Sequence, residues 1–95
     1  MNAARGETEL VIGGQARRLC LTLGALAEIE AGLGCVRISD LEARMRALSA
    51  ADLMIVLAAL LRGGGEGEIA GQLGAQHVAP GAAARAVAEA FRLGL

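Results

Sequence analysis

Residues 53–61 read Leu-Met-Ile-Val-Leu-Ala-Ala-Leu-Leu, nine apolar side chains without a break. Ser49 and Asp52 stand before the run, and Arg62-Gly63-Gly64-Gly65 follows it. A serine hydroxyl can accept a backbone N–H as N-cap, and an aspartate three residues on favours a helix N-terminus. An arginine in the last turn suits a helix C-terminus, and a glycine can take the left-handed conformation that closes one. The pattern predicts a helix over residues 50–62. Its apolar side chains cover every side of the helical wheel, so it must be enclosed. It is too short to cross a bilayer, which takes about 20 apolar residues. The rest of the chain, a partner chain or both must surround it.

A chain of 95 residues makes one domain, expected here over 1–95. A domain of this size buries roughly 60–65% of its unfolded surface, enough for one modest core. Residues 1–6 are expected to fray, and 63–67 and 74–79 are expected to be flexible loops. Phe91 is the one aromatic residue, so Leu, Ile, Val, Met and Ala must fill the core. The formal net charge is −1, and all nine basic residues are arginine, interspersed with the acids. That balance supplies no electrostatic drive toward nucleic acid or an anionic membrane. Cys20 and Cys35, with no apolar targeting segment before them, predict reduced thiols in a cytoplasmic protein.

Glu7–Ile12 and Gln15–Leu21 read as strands joined by Gly13-Gly14. A two-residue glycine turn between β-compatible runs is a strong hairpin signal, because primed turns need positive φ. Thr8, Leu10 and Ile12 share one face of the first strand, and Leu19 and Leu21 one face of the second. A lone hairpin is marginal in water and must pack on helices. Thr22 can cap the next helix, whose expected inner stripe is Leu23, Leu26, Ala27 and Leu33, with Ile29 on the flank. Ser39-Asp40-Leu41-Glu42 matches a capping box, with Ser39 as N-cap and Leu41, Met45 and Leu48 as the inner face. Glu68–Leu73 reads as a short helix ending at Gly74. Pro80 suits the first position of a last helix, through Leu93, with Ala83, Val87, Ala90, Phe91 and Gly94 on its stripe. The fold class is α+β: an N-terminal β-hairpin at about 7–21 followed by four or five helices.

Catalytic patterns are missing. With no lysine, neither a P-loop lysine nor a Schiff base can form. His77 is the single histidine and sits in a Gly/Ala-rich linker, so it reads as solvent-exposed. Cys20, Cys35 and His77 match no zinc spacing. Gly65-Glu66-Gly67-Glu68-Ile69-Ala70 matches the dinucleotide pattern formally, yet it follows a helix, and two glutamates would repel a pyrophosphate. Glu28 and Glu30 point about 200° apart on a helix and cannot act as an acid/base pair. Arg17-Arg18 and Arg44/Arg46 are basic pairs without an aromatic platform for bases. Helix, turn and helix at 40–62 would place an apolar helix where a DNA reader needs polar side chains. No enzyme, cofactor or metal is expected.

Two stretches carry a resemblance. Arg5-Gly6-Glu7, the hairpin and Leu19-Cys20-Leu21-Thr22-Leu23-Gly24-Ala25-Leu26-Ala27-Glu28-Ile29-Glu30 form the first; Leu48 to Leu53 and Leu60 to Gly65 form the second. Over roughly residues 5–65 the chain resembles the small tail proteins of gene transfer agents, the phage-like particles of alphaproteobacteria. The resemblance implies a part in building a siphophage-type tail, with no catalytic motif. Members look like tail assembly chaperones that coat the tape-measure protein, and the family has also been described as tail tube proteins. The expected partners are the tape-measure protein, other tail proteins and copies of this chain, with no membrane and no nucleic acid. The alternatives are a structural tail subunit and, more remotely, a nucleic-acid-binding module using Arg17, Arg18, Arg44 and Arg46. The candidate core or partner-facing residues are Leu23, Leu26, Leu53, Val56, Leu57, Leu60 and Phe91. Ala- and Leu-rich helices supply apolar grooves of the kind that accept a helix.

Overall fold

The computed structural model describes residues 6–94, and the N-terminal residues expected to fray lie outside it except for Gly6. The chain opens with strands β1 (Glu7–Ile12) and β2 (Gln15–Cys20). They pair antiparallel from Glu7↔Cys20 to Ile12↔Gln15. Gly13 and Gly14 make the turn at φ +60° and +84°, the positive values that a primed two-residue turn demands. Gly6 extends the ladder, because the Leu21 N–H donates to its carbonyl at 3.2 Å. Leu10, Ile12 and Leu19 turn their side chains into the core.

Helices α1 (Leu23–Leu33), α2 (Ile38–Met45), α3 (Ala50–Gly63), α4 (Gly67–Ala70) and α5 (Pro80–Gly94) follow, with a 3-10 turn at Leu73–Ala75. The fold is thus the expected α+β domain, a two-stranded hairpin covered by helices. Thr22 caps α1, its hydroxyl accepting the Ala25 N–H at 3.0 Å. Gly34 closes the same helix at φ +70°, and the Cys35 N–H reaches back to the Glu30 carbonyl at 2.9 Å. Ser49 and Asp52 satisfy one another's backbone N–H groups at 3.0 and 3.2 Å, a reciprocal cap for α3. At its other end the left-handed residue is Gly65, and the Glu66 N–H donates to the Leu61 carbonyl at 2.8 Å.

Four local expectations are corrected. The buried stripe of α1 is Ala25, Leu26, Ile29 and Leu33, while Leu23 is 83% exposed. That stripe centres on Ile29, and at 100° per residue Leu23 and Ala27 fall roughly 100° or more from its centre. Helix α2 starts earlier than the Ser39 box implied: Asp40 caps it, accepting the Val36 and Arg37 N–H groups at 3.3 and 3.2 Å. Its short carboxylate reaches back over one turn, which leaves Ser39 inside the helix. The helix expected over 68–73 stops at Ala70, since Gly71 weakens it, and the chain passes on into the 3-10 turn. Enclosure of α3 is confined to one half. Val56, Leu57, Ala59, Leu60 and Leu61 are buried, but Met54 in the second turn is 46% exposed.

The core lies where the inner face of the hairpin meets α1, α3 and α5. Leu19, Ile29, Val56, Leu60, Leu61 and Val87 fill it. Helix α3 touches β2, α1, α4 and α5, so the apolar run is the hub of the domain. Its C-terminal glycines fit it there: Gly63 and Gly64 lie against the backbone of Cys20 and Arg18, closer than any side chain allows.

Candidate interaction surface

Helix α2 packs on α1, and α5 packs on β1, β2 and α3. The two helices leave a trough between them of about 640 Å³. Leu41 and Val87 are buried at its floor. Met45, Leu48, Leu53 and Phe91 are half-buried along its walls, and Ile38, at 46% exposure, stands in it more openly. The i, i+3, i+7 spacing of Ile38, Leu41 and Met45 makes one apolar stripe of α2. Glu42, Arg46 and Arg92 line the same trough as exposed charges.

Arg44 sets the position of α2. Its Nη1 donates to the Leu33 carbonyl at the end of α1 at 2.7 Å, and its Nη2 meets Asp52 Oδ1 at 3.0 Å. One guanidinium therefore ties the end of α1 to the start of α3. Asp52 is held below the ordinary carboxylate range, first by the hydrogen bond from Arg44 and then by the Ser49 N–H. Glu66 is lowered too, first by the Arg18 backbone N–H and further by the Arg17 guanidinium at 3.4 Å. Glu28 on α1 pairs with Arg62 on α3. Of the four arginines considered for nucleic acid, Arg17 and Arg44 are thus already paired within the fold.

The seven residues singled out from sequence divide three ways. Leu26, Val56, Leu57 and Leu60 are buried core. Leu53 and Phe91 are half-buried in the trough, and Leu23 is exposed on α1. Sequence reasoning missed Ile38 and Val87 as trough residues. The α2 spacing could have pointed to Ile38, whereas nothing local says that α5 stands across from α2. His77 is exposed, and its backbone carbonyl accepts the Gly13 N–H at 3.0 Å. No disulfide joins Cys20 and Cys35. Among the described residues no cluster of three His, Cys, Asp or Glu could hold a metal ion. No described helix is long and apolar enough to cross a membrane.

The trough between α2 and α5 is an apolar surface of the kind through which proteins bind one another, and comparison places the chain among proteins of phage-like tails. Residues 5–95 match the family described as "Phage tail tube protein, GTA-gp10", and the chain belongs to that family of gene transfer agent and phage tail proteins. Comparison with curated proteins and with solved structures produced no match.

Proposed function

We propose that this protein is a non-catalytic structural component of a phage-like tail, and that it binds neighbouring tail proteins through the α2–α5 trough. The family match carries this reading, because it covers residues 5–95. The trough supports it. An apolar floor edged by exposed charges is the usual division of a protein–protein contact into apolar core and polar rim. The protein is made in the cytoplasm and enters the particle as the tail assembles.

A second reading has its own observation. Both walls of the trough are helices, and two helical walls accept a third helix by ridge-and-groove packing. A tape-measure protein is a long, largely helical and partly apolar chain. On this reading the protein coats it during assembly and leaves before the tail is finished.

Quantitative mass spectrometry of purified particles separates the two. A structural subunit stays in many copies per particle; a chaperone is abundant in the producing cells and missing from finished tails. The trough is tested with Ile38→Glu. Ile38 is already 46% exposed, so the substitution should move stability by no more than about 0.5 kcal/mol. Electron microscopy should nevertheless show few complete tails. A normal tail yield with Ile38→Glu would remove the trough from the mechanism.

A further inference from the structure

The two edges of the hairpin are treated differently. The pair Ile12–Gln15 closes a two-residue turn and is hydrogen-bonded, so bonded and unbonded pairs alternate along the ladder. Glu7, Glu9 and Val11 on β1, and Ala16, Arg18 and Cys20 on β2, therefore direct their backbone groups outward. The β2 edge is covered. The Arg18 N–H donates to Glu66 Oε2 at 3.1 Å. Gly63 and Gly64 press on the Cys20 and Arg18 carbonyls so closely that a Cβ would fall 2.2 and 2.3 Å from them.

The β1 edge is open. Among the described residues, the outward N–H and C=O groups of Glu9 and Val11 have no hydrogen-bond partner. They border a cleft of about 680 Å³ between β1 and α5, lined also by Ala82, Arg85 and Ala86. Val11 is 59% exposed. The open stretch is bounded at both ends. His77 occupies the Gly13 N–H at the turn, and at the other end Gly6 lies against Ala90 and Gly94 of α5. Between these limits lie residues 7–12, and Leu10 stands between the two open outward-facing residues, Glu9 and Val11. An uncovered edge with unpaired groups is a template for another strand, and sheets ordinarily guard it.

We propose that this edge is a self-association site, at which a second copy adds its own β1 antiparallel about a two-fold axis beside Leu10. In that register Glu9 of each copy faces Val11 of the other, and each such pair exchanges both of its backbone hydrogen bonds. Setting Glu9 against Glu9 would oppose like charges, which disfavours that alternative. The cleft also offers an acid and a base that complement each other across a two-fold. Glu9 and Arg85 both line it, both are exposed, and neither has an ion-pair partner among the described residues. The inference goes beyond the tail assignment and does not depend on which tail role is correct.

Sedimentation velocity across micromolar to millimolar concentrations tests it. The expected result is a rise in mass from 9.6 kDa to twice that value. Val11→Pro removes an outward N–H and no bond within the hairpin, so it should raise the dimer dissociation constant at least about tenfold. Glu9→Arg and Arg85→Glu should each weaken the dimer, and together restore it. Hydrogen exchange on the unaltered protein supplies a measure independent of any variant. The Glu9 and Val11 amides should exchange freely in dilute solution and become protected at high concentration. A monomer throughout the range would overturn the proposal, and so would a dimer in which both amides still exchange freely.

Discussion

Gly63 offers the sharpest test of the packing, because helix propensity and tertiary contact predict opposite signs. It lies in the last turn of α3, where replacing glycine by alanine normally stabilises by roughly 1 kcal/mol. Here the new Cβ would sit 2.2 Å from the Cys20 carbonyl oxygen and 3.2 Å from Thr22 Oγ1. Ordinary contact begins at 3.4 Å, so helix and strand must part by about 1.2 Å along that line. The principal clash is with backbone, and no rotamer relieves it. Overpacking of this kind costs about 3 kcal/mol at the upper end of its usual range. Subtracting the propensity gain of roughly 1 kcal/mol leaves a net loss of about 2 kcal/mol. At about 4–8 °C per kcal/mol for a domain this small, Gly63→Ala should lower the melting midpoint by about 8–16 °C. Gly24→Ala is the control. It also lies in a helix, but the nearest atom to its Cβ would be Thr22 Oγ1 at 3.9 Å, and it should gain roughly 0.5–1 kcal/mol. Calorimetry and urea unfolding of both variants decide the matter. If Gly63→Ala is as stable as the parent, α3 does not meet β2 as described.

Two further perturbations probe the core and the cap of α3. Leu57→Asp would bury an unpaired charge in the central helix, against a total stability of about 5–15 kcal/mol for a domain, and should abolish the cooperative thermal transition; a native melt would mean that this half of α3 is not enclosed. Asp52 is lowered from its ordinary 3.8 by Arg44 and the Ser49 N–H, so its contribution is complete above that value and is lost as pH falls through the lower, folded-state value. Asp52→Asn should therefore melt lower than the parent at neutral pH and converge with it in acid. Parallel curves would deny the cap its electrostatic part.

Local signals were readable. Gly13-Gly14 announced the hairpin, Thr22 the start of α1, and Ser49 with Asp52 the start of α3, because each depends on residues within one turn of the chain. The α1 stripe differs from the expected one because Leu23 is apolar and follows the cap, and composition does not say which way a helix is rolled; packing on α3, with Ile29 fully buried, decides that. Gly63 and Gly64 read as the start of a flexible loop, yet Gly63 lies within α3 and the lack of a side chain at both serves contacts with Cys20 and Arg18 more than forty residues earlier. The trough was legible by halves: the stripe on α2 is in the sequence, whereas its opposition to α5 arises from packing across the whole domain.

The contact between Gly6 and the end of α5 also bears on how the protein is made. Within this domain the hairpin leaves the ribosome well before α5, yet Ala90 and Gly94 close over the start of β1. A two-stranded hairpin alone is marginal in water. Until α5 emerges, then, Leu10, Ile12 and Leu19 have no complete cover, and the sheet waits for that helix. Chains truncated before α5 would emerge with these side chains bare. The geometry thus makes closure of the sheet depend on α5, the element farthest from it in the sequence of this domain.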